Sequence, residues 1–350
     1  MSDQKHILFC VLDWGLGHAA RSIPLIEMLL KKGCKVTIAT SPYLFNSYLS
    51  KELPDVELLS LLPYEPTYSR SGSQVLRLLW QLPHFIRVYA SDASRIRTFI
   101  KGHNVRVVFS DNRFSCRSKT VKSIYMTHQV NILKPSTLKP WGLPSKIHRY
   151  LMRKFDLCII PDVPEHCFPE LTRFSVSKPE SRYLGFISRF GTAIQHNKKH
   201  ILAIISGPEP QRSFLEDRLI TAAYHTDEKI VLVRGSDRFR ARKLPDNIIV
   251  YNIADTVILK KLLQDCSYVV CRSGYSSIMD LLVTRTPAII IPTPGQSEQE
   301  YIAERAEEMG WFVVRDQYNF DYLKPEVVRT QCKLPALSQI NLNRILSEIM

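Results

Sequence analysis

No apolar run among the 350 residues approaches the ~20 that a membrane-spanning helix needs. The opening MSDQKH also lacks the cationic and apolar segments of a secretion signal. A cytoplasmic protein is therefore expected. None of the eight cysteines, Cys10, Cys34, Cys116, Cys158, Cys167, Cys266, Cys271 and Cys332, stands in a CxxC pair. Neither a zinc site nor a disulfide framework is suggested. There is no short internal repeat and no helix-turn-helix, RNP, KH or zinc-finger pattern. Nucleic acid is disfavoured as a partner despite 47 Lys/Arg against 33 Asp/Glu. The GxGxxG fingerprint is broken by Ala20 and a Walker lysine is missing, so neither NAD nor a P-loop nucleotide is implied. Nor does an Asp-x-Asp pair occur anywhere to hold a metal on a diphosphate.

What is present alternates. Apolar runs at Ile7 to Leu12, Val36 to Ala39, Val105 to Phe109, Leu157 to Ile160, Ile201 to Ile205, Ile230 to Val233 and Ile248 to Tyr251 read as strands separated by helical patterns. That argues for α/β units, and the length suits two domains. Tyr183 to Lys199, with its glycines and its shift to polar residues, is the expected boundary. Charge is unequal across it. Residues 1–190 carry 27 Lys/Arg against 14 Asp/Glu, whereas 191–350 carry 20 against 19. An anionic partner for the first half follows, against the plainer account of a solubilising basic face.

Turns at strand ends carry the candidate chemistry. In the opening βαβ pattern Gly15 and Gly17 permit close approach of a ligand, and His18 enters where the helix begins. An imidazole there can accept a proton from a hydroxyl at neutral pH. Asp111 and Arg113 follow the strand ending at Phe109, either as a structural pair or as ligands for a hydroxyl and a phosphate. Ser206-Gly207 opens another helix. In Tyr268 to Tyr301 a buried strand stops at Arg272-Ser273-Gly274, and a second strand, Ala288 to Ile291, precedes a helix near Ser297. Unpaired N–H groups at such helix starts suit phosphate oxygens, although any α/β protein uses Gly and Ser at turns. Leu133 to Phe155 holds six cations, Lys134, Lys139, Lys146, Arg149, Arg153 and Lys154, and no acidic residue. It suits a diphosphate, an anionic lipid surface or plain solvent. The stretch VLRLLWQLPHFIRVY mixes apolar and cationic residues, fitting either a bilayer surface or the chain's own sheet.

Four motifs together resemble the MurG-type glycosyltransferases, family 28 of the GT-B fold. They are Gly15-Leu16-Gly17-His18 followed by Arg21, the His128-Gln129-Val130-Asn131 loop, the Ser206-Gly207 turn, and Arg272-Ser273-Gly274 with Asp280 and Gln299-Glu300-Tyr301. The family commonly has Glu where this chain has Asp280 or Gln129, and Gln where it has Glu300. The resemblance implies two Rossmann-like parallel-sheet domains facing a central cleft. Residues 1–190 would form the acceptor side and 191–337 the donor domain, with a helix over 338–350 returning to the first domain. It implies inverting, metal-independent transfer from a nucleotide diphosphate donor, a UDP-sugar such as UDP-GlcNAc, to a hydroxyl of a lipid-linked or glycan acceptor, without a cofactor. His18 would be catalytic. Arg272, Ser273, Gly274, Ser206 and Gly207 would bind the donor diphosphate, Asp280 the ribose, and Gln299 with Glu300 the sugar. Gly15, Gly17, Asp111, Arg113, His128 and Asn131 would serve the acceptor or a phosphate. Peripheral attachment to the inner membrane face is open. The first loop equally resembles a UDP-sugar hydrolase family, so a nucleotide-sugar hydrolase or epimerase is an alternative, as is a non-catalytic basic binding protein.

Overall fold

The computed structural model describes residues 4–65, 80–135, 137–165, 167–174, 179–235 and 243–335. The chain divides into two compact units, the first running to Arg189 and the second beginning at Phe190. The helix expected over 338–350 lies outside the described residues.

The first unit runs β1 (His6–Val11), α1 (Leu16–Lys31), β2 (Lys35–Thr40), β3 (Glu57–Ser60), α2 (Leu82–Gly102), β4 (Val105–Asp111), β5 (Lys122–Met126), α3 (Gly142–Met152), β6 (Leu157–Ile160) and β7 (Glu180–Tyr183). Its seven strands are parallel in the order β3-β2-β1-β4-β5-β6-β7. Side chains alternate across such a strand, so β1 feeds two cores. Ile7, Phe9 and Val11 pack with Ala19, Ile23 and Ile26 of α1, whereas Leu8 and Cys10 pack with Ile96 of α2. Both faces are covered, which is why β1 reads as an unbroken apolar run. Strand order reverses between β1 and β4. Connections leave in opposite directions there and open a crevice outside the carboxyl ends of the two strands.

The second unit repeats the plan with β8 (His200–Ile204), α4 (Gln211–Ala223), β9 (Ile230–Val233), β10 (Ile248–Tyr251), α5 (Thr256–Asp265), β11 (Cys266–Arg272), α6 (Tyr275–Thr284), β12 (Ala288–Ile291), α7 (Ser297–Glu308), β13 (Val313–Val314) and α8 (Pro325–Gln331). Its order, β10-β9-β8-β11-β12-β13, reverses between β8 and β11. Every residue of β11 is buried. Asp255 caps α5 by accepting from Ile258 N at 2.8 Å.

The strands β3, β5, β7 and β13 are additions to the sequence expectation, and all but the central β5 stand at sheet edges. An edge strand buries little and is often short, so its pattern is weak. Glu57-Leu58-Leu59-Ser60 and Glu180-Ser181-Arg182-Tyr183 contain no fully buried residue, and β13 has two residues.

Candidate functional site

At the reversal point of the first sheet, five polar side chains meet. His18 is the third residue of α1, whose N-cap is Gly15 at φ 100°, a conformation that favours glycine. A Cβ on Gly15 would meet no atom within 4 Å, so the helix start lies open. Asp111 ends β4, level with Val11 of β1. His18 Nδ1 lies 3.2 Å from Asp111 Oδ1. Three residues further along α1, one turn on and on the same face, Arg21 donates from Nε to Asp111 Oδ2 at 2.9 Å. It also donates from Nη2 to Oδ1. Ser22 Oγ donates to Oδ2 at 3.1 Å. A carboxylate offers about four acceptor positions, and here all four are filled. Arg21 Nη1 approaches His128 Nδ1 at 2.5 Å, after β5.

The hydrogen bonds set the tautomers. Arg21 cannot accept, so His128 accepts at Nδ1 and carries its proton on Nε2. Asp111 only accepts when ionised, so His18 donates from Nδ1–H. Its Nε2 then holds the ring's lone pair and makes no hydrogen bond among the described residues. The 2.8 Å between Arg21 Nη2 and His18 Nδ1 follows from both groups sitting on Oδ1. Electrostatics agree. Burial, then the Arg21 charge, lower the His18 pKa against the pull of Asp111. Burial alone would raise the Asp111 pKa, but Arg21 and His18 outweigh it and hold the carboxyl well below its ordinary range. At neutral pH the site contains a neutral imidazole base on an ionised carboxylate.

The second sheet presents turns of another kind. The loops after β8 and β11 flank its reversal point, and added Cβ atoms on Gly207 or Gly274 would meet nothing within 4 Å. Gly274 is the N-cap of α6, which no side chain caps, whereas Glu209 Oε2 accepts from Ser213 N at 3.3 Å in the first turn of α4. Ser206 and Gly207 are exposed, and Asp280 is half-buried within α6. Beneath these turns Arg272 is 1 % exposed. It donates to Gln211 O at 2.8 Å, Gln317 Oε1 at 2.5 Å and Pro292 O at 3.1 Å, joining the end of β11 to the segments that follow β8, β12 and β13. Burial lowers its pKa to about 10, so it stays cationic at neutral pH. No carboxylate pairs with it among the described residues.

Comparison with known proteins places this geometry. Residues 215–333 match the glycosyltransferase family 28 C-terminal domain. The chain is a glycosyltransferase of GT-B fold, and its second unit carries a family 28 C-terminal domain. An uncharacterized glycosyltransferase of Methanosarcina mazei is 24 % identical over 333 residues, covering 87 % of this chain and 84 % of its own length. The solved glycosyltransferase SnogD from Streptomyces nogalater superposes with a TM-score of 0.64 at 15 % identity, covering 99 % of this chain and 100 % of that one. MurG of Acinetobacter baumannii gives 0.52 at 13 % identity, with 99 % and 90 % covered.

In this glycosyltransferase His18, Asp111 and His128 come together with Gly15 and Gly17 at the start of α1, and Arg113 and Asn131 are turned to other work. Arg113 is fully buried and donates from Nε to Asp92 of α2 at 2.8 Å and to Leu62 O at 2.5 Å, with its guanidinium 4.9 Å over the Tyr64 ring. Asp111 and Arg113 are thus no pair with each other. Asn131 accepts from Arg149 Nη1 at 2.6 Å and donates to Glu170 O at 3.2 Å and Arg173 O at 3.3 Å, latching its loop to the chain ahead of β7. Ser273 Oγ donates to Gln299 O at 2.8 Å. Gln299 Oε1 accepts from Thr293 N and Oγ1 at 3.0 and 2.9 Å, and Glu300 Oε1 from Gly295 N at 2.8 Å. Those oxygens hold the loop after β12, and Gln299 Nε2 makes no hydrogen bond among the described residues. Sequence reasoning assigns Arg21 no role of its own. The signal is there all the same: a cation one helical turn after His18, in a helix whose buried residues are otherwise apolar but for Ser22.

Proposed function

We propose that this glycosyltransferase moves a sugar with inversion from a UDP-sugar, such as UDP-GlcNAc, to a hydroxyl of a lipid-linked or glycan acceptor. The contact of His18 with the ionised Asp111 carries this assignment, because it leaves a neutral base with a lone pair on Nε2. The acceptor hydroxyl gives its proton to Nε2 as its oxygen bonds to the anomeric carbon. The bond from that carbon to the diphosphate breaks on the opposite face, and the electron pair leaves with the diphosphate. Asp111 offsets the charge of the imidazolium that forms. Residues 1–190 serve the acceptor and 191–337 the donor. Amides after Ser206 and Gly274 receive the diphosphate at helix N-termini, and the unpaired Arg272 charge beneath them adds positive potential. Asp280 accepts from the ribose hydroxyls, and Gln299 and Glu300 meet the sugar.

The test is direct. UDP-GlcNAc and UDP should raise the melting temperature, and release of UDP should require acceptor. Equal release without acceptor makes the chain a hydrolase. Replacing Asp280 by Asn should raise the donor Kd about tenfold or more, since a lost charge-assisted hydrogen bond costs about 1.5–3 kcal/mol. Folding should change little. A lowered melting point with unchanged donor affinity would make Asp280 only a helix residue.

Turnover should also persist in EDTA. The leaving diphosphate is met by helix N-termini, and the sequence has no Asp-x-Asp pair. Abolition by EDTA with rescue by Mg²⁺ or Mn²⁺ would mean that a metal carries that charge instead.

A further inference from the structure

The turn after β4 sends its two charged side chains to opposite faces of the first sheet. Alternation along β4 puts Val107, Phe109 and Asp111 on the α1 face, and residue 113 of a continued strand would share it. Asn112 breaks the alternation at φ 58°, a left-handed conformation that asparagine adopts more readily than most residues. Tyr125 Oη donates to Asn112 Oδ1 at 2.8 Å, and Asn112 N donates to Met126 O at 3.0 Å, so β5 holds the turn in place. Arg113 therefore enters on the α2 face. There it donates to Asp92, which lies one turn before the core residue Ile96, and its Nη1 stands 3.5 Å from Asp13 Oδ1. Side-chain exposure is 0 % for Arg113 and Asp92 and 4 % for Asp13, so one guanidinium serves two buried carboxylates.

Asp13 opens the turn that carries the base. After Asp13 and Trp14 come Gly15, Leu16 and Gly17, all exposed, and then His18. Both Asp13 oxygens accept from Tyr64 N, at 3.4 and 3.3 Å, and the Trp14 ring packs 6.0 Å from Phe85 of α2. Two anchors thus bracket the turn. Asp111 binds α1 after it, through His18, Arg21 and Ser22, and Arg113 binds the chain before it. Glycines between the anchors give the turn little stiffness of its own.

We propose that Arg113 and Asp13 are positioning residues for the base: they fix the start of the glycine turn so that His18 Nε2 stands where the acceptor hydroxyl arrives. The inference rests on His18 as the base of the transfer reaction. Neither residue touches a reacting atom. For packing alone apolar side chains would serve as well, because a buried ion pair rarely stabilises more than an apolar replacement. Charge-assisted contacts add direction, which apolar packing leaves loose. Direction matters here, since displacing a catalytic group by about 1 Å can cost about 10²-fold in rate.

Histidine ring signals in NMR spectra of the isotope-labelled full chain read the place of His18 without any substrate, its signal being the one lost in His18→Ala. The parent should show one sharp His18 signal titrating below about 6.5, since burial and Arg21 lower its pKa. Asp13→Asn keeps an oxygen for Tyr64 N and loses the charge. In it the His18 signal should shift or split and titrate closer to about 6.5, while His6 and His103 at the amino edge of the same sheet keep theirs. Arg113→Lys should fall between, as an ammonium cannot span Asp92, Leu62 O and Asp13 together. Arg113→Met would strand two buried carboxylates and unfold, which is why the deciding variants keep shape. Turnover of UDP-GlcNAc in Asp13→Asn should fall about tenfold or more with the Kd for UDP unchanged. In a His18→Ala background the same change should cost nothing further, because residues that act through one group are not additive. A His18 signal in Asp13→Asn that matches the parent in position and titration overturns the proposal. So does movement of every histidine signal together with a lowered melting temperature, or a loss of turnover equal with and without His18. If UDP leaves the parent's melting temperature unchanged, the transfer assignment fails, and the histidine signals still decide whether Arg113 and Asp13 set the place of His18.

Discussion

Replacing His18 by alanine should lower kcat by about 10²–10⁴, the usual contribution of a positioned general base, with little change in donor affinity. The lone pair on Nε2 is the group that accepts the proton, and alanine offers none. Because burial and Arg21 depress the His18 pKa, the base stays unprotonated below the ordinary imidazole range. The acid limb of kcat should therefore fall at a pH lower than about 6.5. Asp111→Asn removes the carboxylate that draws the pKa upward, so it should lower kcat while moving that limb further toward acid. Steady-state rates between pH 5 and 8 would show both effects. Unchanged turnover in His18→Ala would end the assignment of His18 as base.

Each member of the dyad is legible in the sequence, but their contact is not. A glycine turn ahead of a histidine, and an acid at a strand's carboxyl edge, are readable because strand ends and helix starts leave clear marks. Their meeting depends on β1 lying beside β4, a pairing between segments about a hundred residues apart. Short-range reading fails most plainly at Arg113. Two residues apart at a strand's end, Asp111 and Arg113 invite pairing, yet their side chains leave in different directions. One meets α1 and the other α2. The basic segment misleads in the same way at Arg149, where helical periodicity turns one cation inward to Asn131 and leaves its neighbours in solvent. Central strands such as β1 and β11 are readable because both of their faces are apolar. The edge strands β3 and β7 lack that signal. In the second unit the glycine turns and Arg272 are legible as a motif, but whether the guanidinium faces a ligand or ties the loops together depends on strand order. The sheet turns it inward.

Arg21→Met should destabilise the fold by about 3–5 kcal/mol, because it leaves the buried Asp111 carboxylate without its main counter-charge. Stability against pH is the more discriminating readout. In the parent the Asp111 pKa is depressed in the folded state. Its contribution to stability is present in full above the unfolded value of about 3.9 and is lost as pH falls below it. The slope of stability with pH is positive there. Without Arg21, only His18 still opposes burial among the charged neighbours, and the folded pKa is expected to rise past the unfolded one. Folded protein then binds the extra proton, and stability declines as pH rises from about 4 toward neutrality. His18 shifts in the same direction, since the charge that lowered its pKa is gone. Arg21→Lys should fall between, as one ammonium can neutralise the carboxylate but cannot span both of its oxygens and His128 together. Urea midpoints across pH 4 to 7 would measure this. Parallel pH slopes for parent and Arg21→Met would show that Arg21 does not hold Asp111 ionised, and the tautomers assigned to His18 and His128 would lose their foundation.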